Sequence, residues 1–228
     1  MGPGVWRSVG WNVILAAAFL SATQAEDALF PSQLVTFEPY PQNPVFRARG
    51  PGYWDVHIRE RGWILKEDTT YRMWFTGYGS GRNARHMLGY ATSTDGLRWS
   101  RFPGNPIYRQ HWVEDMMVVH LGDTYHMFAE GLHDRAQLLT SPDGVHWTRV
   151  GKLDIRKTDG QPIEPGPYGT PTAWFENGTW YLLYERRDLG IWLATSTDLK
   201  RWKNLQDEPV LRPDPGEYDR DLVAVNQV

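Results

Sequence analysis

The sequence predicts an all-β protein, a β-propeller of four-stranded antiparallel blades, and three observations predict it. The same turn is written three times, as Ala91-Thr92-Ser93-Thr94-Asp95-Gly96-Leu97-Arg98-Trp99, Leu139-Thr140-Ser141-Pro142-Asp143-Gly144-Val145-His146-Trp147 and Ala194-Thr195-Ser196-Thr197-Asp198-Leu199-Lys200-Arg201-Trp202. A strand-like run rich in aromatic residues stands ahead of each turn. The units so marked, counted from Asp55 to Asp115, Thr170 and Asp221, recur after 60, 55 and 51 residues, a length that holds four short strands and matches one blade. A sandwich of similar strands would not need the same turn and the same following tryptophan at each interval.

Taken in order, the chain opens with Arg7, the apolar stretch Val13 to Leu20 and the small-residue segment Ser21-Ala22-Thr23-Gln24-Ala25. This reads as a secretory signal over residues 1–25, leaving a domain over residues 26–228 and predicting a secreted or periplasmic protein. The stretch is too short for a membrane span and no second one follows, so no membrane contact is expected after cleavage. With no cysteine in the chain, the fold stands on packing alone. The first unit pairs Val56-His57-Ile58 with Tyr71 to Thr76 across the Asp68-Thr69 turn. The second pairs Met116 to His120 with Tyr125 to Glu130 across Gly122-Asp123, and the third pairs Thr172 to Phe175 with Trp180 to Glu185 across Asn177-Gly178. A fourth run, Asp221 to Val228, begins another unit, and a leader strand around Leu34 to Phe37 would close the ring against it. An open ring would leave sheet edges unpaired, so the chain is expected to be the N-terminal part of a longer protein.

The repeated Ser-x-Asp-Gly-x-x-Trp turn has a physical purpose of its own. Ser and Asp hydrogen-bond nearby amides, Gly accepts positive φ, and the tryptophan returns to pack between neighbouring sheets. Asp95, Asp143 and Asp198 are therefore turn-formers, not catalysts, and Leu199 in the glycine position predicts a changed third turn. Net charge is −3 with mixed signs along the chain, which leaves no basic stripe for nucleic acid. The seven histidines have no His-Glu-x-x-His spacing, so no metal ligands are assigned. Gly77 to Gly81 lies between strands and opens no helix, which makes it a rim loop instead of a phosphate loop. Neither a Gly-x-Ser-x-Gly elbow nor a cysteine nucleophile is present.

The leads Asn43-Pro44-Val45-Phe46 and Asn105-Pro106-Ile107-Tyr108, the strand Tyr71 to Phe75 and the three turns make the chain, from about Pro41 onward, resemble the five-bladed propeller glycosidases. That grouping includes arabinanases, β-xylosidases, levansucrases and invertases, together with the related propeller mannoside phosphorylases. The resemblance implies a five-bladed ring and a glycoside hydrolase that cleaves O-glycosidic bonds with paired carboxylates at the channel mouth. By position it implies Asp55 as base or nucleophile and Asp115 as the second-blade aspartate. The acid is sought among Glu164, Glu130 and Glu185. Trp54, His57, Trp112, Glu114, Tyr168 and Asp221 are the candidate substrate contacts. It implies an oligo- or polysaccharide ligand, a monomer, and no cofactor, although a channel calcium is known among such families. Phosphorolysis would call for a cationic pocket, for which Arg59, Arg61 and Arg186-Arg187 are available. A glycan-binding propeller without catalysis is the alternative.

Overall fold

The computed structural model describes residues 36–59 and 61–225. The chain divides into two compact units, Met1–Pro41 and Gln42–Val228. Of the first, residues 36–41 are exposed and form neither strand nor helix. The signal and half of the leader strand, Leu34 and Val35, lie outside the described residues, and the other half, Thr36 and Phe37, forms no strand.

Among the described residues the second unit is all-β and antiparallel within its blades. The first blade holds β1 (His57–Ile58), β2 (Trp63–Glu67), β3 (Thr70–Tyr78), β4 (Met87–Ser93) and β5 (Ser100–Arg101). Both β1 and β2 pair along one edge of β3, and β4 and β5 follow outward. The second blade is the meander β6 (Glu114–Leu121), β7 (Thr124–Gly131), β8 (Arg135–Ser141) and β9 (Thr148–Lys152). A short β10 (Asp154–Arg156) then crosses to the third blade, β11 (Gly169–Glu176), β12 (Thr179–Glu185), β13 (Ile191–Ser196) and β14 (Arg201–Asn204), where it pairs parallel to β14. It thereby covers an outer edge that would otherwise stay open.

Strand alternation assigns each face to a neighbour. On β7, Met127 and Ala129 join Trp74, Tyr90 and Trp147 between the first two blades, whereas Phe128 joins Trp180, Leu182 and Trp202 between the second and third. The turn tryptophans pack between sheets as their sequence position predicts: Trp74 meets Trp147 edge-on at 6.3 Å and donates its indole N–H to the Gly144 carbonyl at 2.7 Å. The turn chemistry also repeats. Asp95 Oδ1 accepts the Leu97 and Arg98 amides at 2.9 and 2.8 Å, and Ser93 Oγ accepts the Gly96 amide at 2.9 Å. These amides hold the Asp95 carboxyl down to about 2. In the third copy Leu199 takes φ 62°, the conformation that Gly96 (73°) and Gly144 (77°) supply elsewhere, so the turn survives at a backbone cost of about 1–2 kcal/mol.

Two expectations change. The inner strand of the first blade is Trp63–Glu67, not the Val56-His57-Ile58 run, which contributes only the two-residue β1. The fourth run forms no strand over residues 221–225; Val223 and Val225 instead pack on Ile191 and Leu183 of the third blade.

Candidate active site

One local event, repeated in each blade, builds the site. The Arg59 amide donates to the Thr76 carbonyl at 3.0 Å, and the chain then leaves β3 until Trp63 pairs with Trp74. Glu114 pairs with Glu130 before the register slips to Met117 opposite Phe128, and Gly169 pairs with Glu185 before it slips to Thr172 opposite Leu183. A bulge of this kind turns its extra residue out of the ladder and re-aims the side chain. Asp115 and Thr170 sit in those bulges, and both adopt left-handed angles, φ 44° and 43°, which are strained for residues with a Cβ.

The second strand of each blade supplies the other half. Thr76, Glu130 and Glu185 are register equivalents, and the first two reach toward the next inner strand. Thr76 Oγ1 donates to the Val113 carbonyl at 3.1 Å, and Glu130 Oε2 accepts the Thr170 amide at 2.9 Å. Gly169 permits the second contact, since a Cβ there would overlap Glu130 Oε2. Glu185 accepts the Asp188 amide and lies near Leu222 and Ala224 on the cavity wall.

The result is an open cavity of about 270 Å³ that gathers Asp115, Glu130 and Glu185 with Arg59, Arg61 and Arg187. Its two central carboxyls have contrasting surroundings. Glu130 is 8% exposed, and burial, reinforced by the charges of Asp115, Glu114 and Asp134, pushes its carboxyl well above the ordinary range despite the Thr170 amide. Asp115 Oδ2 faces cations instead, with Arg61 at 3.5 Å and Arg59 at 3.9 Å. Burial, followed by the charges of Asp188 and Asp134, raises Glu185 as well. Behind Asp115, the buried Glu114 accepts the Trp112 indole N–H and meets His86 Nδ1 at 2.7 Å and Arg59 Nε at 3.2 Å. It positions Arg59 and Trp112 and has little left to offer a ligand.

Of the catalytic candidates, Asp115, Glu130 and Glu185 come together. Asp55 and Glu164 do not join them. Asp55 is completely buried on the face of the first blade turned away from the second, with Arg49 Nε 2.7 Å from Oδ1 and Arg101 Nε 3.3 Å from Oδ2. The register explains the displacement: the stretch equivalent to Asp115 and Thr170 follows Arg59, several residues after Asp55. Glu164 is exposed and paired with Arg186 at 3.1 Å and Lys157 at 3.7 Å; its own amide and Arg186 hold its carboxyl low. Trp54 stacks on Phe75 and shields Gly77, His57 is exposed beside Tyr78, and Tyr168 is half-buried with its hydroxyl on the Leu153 carbonyl at 3.2 Å. Asp221 is exposed beside Arg220. Trp112 stacks on His86 at 3.9 Å along the wall of an adjoining hollow. His86, Asp134 and the place of Thr170 on the cavity wall were not legible in sequence; only the three-blade register exposes them.

The implied channel calcium can be tested against the donors present. Glu114, Glu130 and Asp134 each bring a carboxylate oxygen within 4.8 Å of the others. Calcium needs six to eight oxygen ligands. Glu114 is committed to Trp112, His86 and Arg59, the last already a cation on its Oε2. This donor set does not fit a calcium ion, and no step is drawn through one.

Comparison with known proteins agrees with the fold. No protein-family model matches the chain. A 1,2-beta-oligomannan phosphorylase from Thermoanaerobacter sp. (strain X514) is 29% identical over 150 residues, covering 60% of this chain and 47% of that protein. The chain spans about half the length of the curated relatives it matches. Among solved structures, a glycosyl hydrolase from Bacteroides ovatus superimposes with a TM-score of 0.65 at 18% identity, over 84% of this chain and 65% of that one. A GH43_1 enzyme from Xanthomonas citri complexed with xylotriose gives 0.50 at 14% identity, over 64% and 54%. The architecture is that of the β-propeller glycosidases, the grouping that the turns and strand motifs resemble.

Proposed function

We propose that the protein is an exported carbohydrate-active enzyme that cleaves O-glycosidic bonds, with Glu130 as general acid and Asp115 as its partner carboxylate. The observation that carries the reading is the contrast between the two: Glu130, buried among carboxylates, keeps its proton, and Asp115 is paired with Arg59 and Arg61 in the same open cavity. In the reaction Glu130 gives its proton to the leaving oxygen as the bond to the anomeric carbon breaks. Asp115 takes the proton of the attacking water or forms the new bond itself. Likeness to a phosphorylase and to glycoside hydrolases supports a saccharide substrate.

Phosphorolysis is the second reading, favoured because Arg59, Arg61 and Arg187 line the cavity that holds the acid. Phosphate would then replace water as the nucleophile. The test is an assay of the mature protein against aryl glycosides and polysaccharides, with and without inorganic phosphate, beside Asp115→Asn and Glu130→Gln. Cleavage that both substitutions abolish supports the assignment, and a sugar phosphate among the products selects phosphorolysis. Saccharide binding without turnover, indifferent to both substitutions, would replace it with a glycan-binding propeller.

A further inference from the structure

A second hollow, of about 310 Å³, adjoins the first across the β7–β8 turn: Asp134 of that turn faces the catalytic cavity, and Arg135 lines the neighbour. Its chemistry is unlike that of the catalytic cavity. Arg85, Arg135, Arg149 and Lys152 all line it, and among the described residues no Asp or Glu does. None of the four has a carboxylate within ion-pair distance among the described residues; Arg85 donates to the Arg109 carbonyl at 2.9 Å and Arg149 to Gln137 Oε1 at 2.6 Å. The Arg135 Nε–H is buried with no hydrogen-bond partner. A buried donor on a permanent cation is costly to leave unsatisfied. Four cations with no ion-pair partner among the described residues around one concavity also attract anions, in a chain whose net charge is −3, although Arg135 borders a further hollow with Asp154 and Glu164 as well. Trp112 forms part of the wall, and its indole N–H is tied to Glu114 beside Asp115, so this hollow is coupled to the reacting centre by one side chain.

From this we infer that the hollow is a subsite for an anionic sugar residue, one bearing a carboxylate or sulfate, whose ring lies against Trp112 while its oxyanion meets Arg135, Arg149 and Lys152. The inference rests on the proposed function and names its substrate class: an acidic oligosaccharide. Planar guanidinium forks match carboxylate and sulfate oxygens in pairs, and the aromatic wall suits the apolar face of a sugar ring. A free oxyanion such as phosphate carries the same charge chemistry but gains nothing from the tryptophan.

The test is calorimetric titration of the whole protein at low and moderate salt with digalacturonate, a sulfated heparin disaccharide, xylotriose, inorganic sulfate and inorganic phosphate. The same titrations are repeated on Arg135→Gln and on the exposed Lys152→Ala, with tryptophan emission checking that each variant is folded. The expected result is that one acidic saccharide binds at least about tenfold more tightly than xylotriose, that each substitution weakens it about tenfold, and that added salt weakens it further. Equal binding of acidic and neutral saccharides, unmoved by either substitution, overturns the inference. So does phosphate or sulfate alone binding as tightly as the acidic saccharide, which would make the hollow a free-anion site. Turnover by the wild-type protein separates this inference from the one beneath it. Acidic-sugar binding by a wild-type protein that turns over no glycoside sinks the enzymatic reading and leaves the subsite standing, whereas turnover confined to neutral sugars and untouched by Arg135→Gln sinks the subsite.

Discussion

Replacing Glu130 by glutamine should stabilise the protein, and the gain should grow with pH. Glutamine keeps the side-chain shape and an oxygen to accept the Thr170 amide, but it cannot ionise. The folded-state carboxyl of Glu130 titrates at about 8 against an ordinary 4.5. Between those values the native protein holds a proton that the unfolded chain has released, so wild-type stability falls as pH rises through the window, by about 1.4 kcal/mol for each pH unit. Below 4.5 the effect is absent, and above about 8 it is complete. At pH 7 the accumulated loss comes to about 3 kcal/mol, which the substitution removes, corresponding to a rise in Tm of about 6–12 °C for a domain of this size. Urea unfolding followed by tryptophan emission, for both proteins at several pH values from 4 to 8, measures it. A stability difference that is flat with pH, or a variant weaker than wild type at pH 7, would refute the buried-proton argument and with it the general-acid role of Glu130.

Four further outcomes follow from the same geometry. Gly169→Ala should displace Glu130 from the Thr170 amide and reduce turnover at least about tenfold while the fold persists; unchanged turnover would show that this contact does not position the acid. Gly96→Ala should cost about 1 kcal/mol for its φ of 73° in open space, and Gly144→Ala clearly more, because its Cβ would lie 3.0 Å from the Trp74 ring; equal urea midpoints would contradict this. Asp55→Asn should destabilise by about 1.5–3 kcal/mol, since it removes the charge of a fully buried carboxylate held by the partly exposed Arg49 and Arg101, and a variant of native stability that had lost activity would return Asp55 to the catalytic set. Calcium at about ten times a millimolar Kd would add about 1.4 kcal/mol to any protein that held it. Here the melting temperature should be the same in calcium and in EDTA.

How much of this could be read from sequence divides along a physical line. The turns were legible because Ser-x-Asp-Gly-x-x-Trp encodes its own hydrogen bonds within a few residues, and each tryptophan then fixes which sheets meet. Asp115 and Glu130 were legible as carboxylates at the two strand positions that meet at one rim. Asp55 drew attention because it precedes an apolar run much as Asp115 does, but the run Val56-His57-Ile58 is not the body of the inner strand. A bulge adds residues without changing the hydrophobic pattern, so register in the first blade is visible only once Trp63 is seen opposite Trp74. The Arg85, Arg135, Arg149 and Lys152 hollow was illegible for a related reason. Its cations come from three separate elements, the loop before β4, β8 and β9, each unremarkable alone, and charge convergence between elements leaves no local signature.

The repeat also accounts for how the site acquires opposite environments for its two carboxyls. Three blades present the same pair of positions, one in the inner-strand bulge and one near the end of the second strand, but they fill them differently. The first blade contributes Thr76, with Arg59 opposite it and Arg61 just beyond, the second Asp115 and Glu130, the third Thr170 and Glu185. Because Thr76 and Glu130 lean toward the following blade, Glu130 meets the neutral Gly169-Thr170 backbone, whereas Asp115, on the inner strand, faces back to Arg59 and Arg61. The raised Glu130 carboxyl and the arginine-paired Asp115 therefore follow from the direction in which the blades follow one another, together with the bulge contents of two neighbours. Thr170→Arg should bring a cation to Glu130, draw its carboxyl back toward the ordinary range and move the alkaline limb of turnover to lower pH. A limb that stayed in place would mean that the acid is governed by something other than its neighbouring bulge.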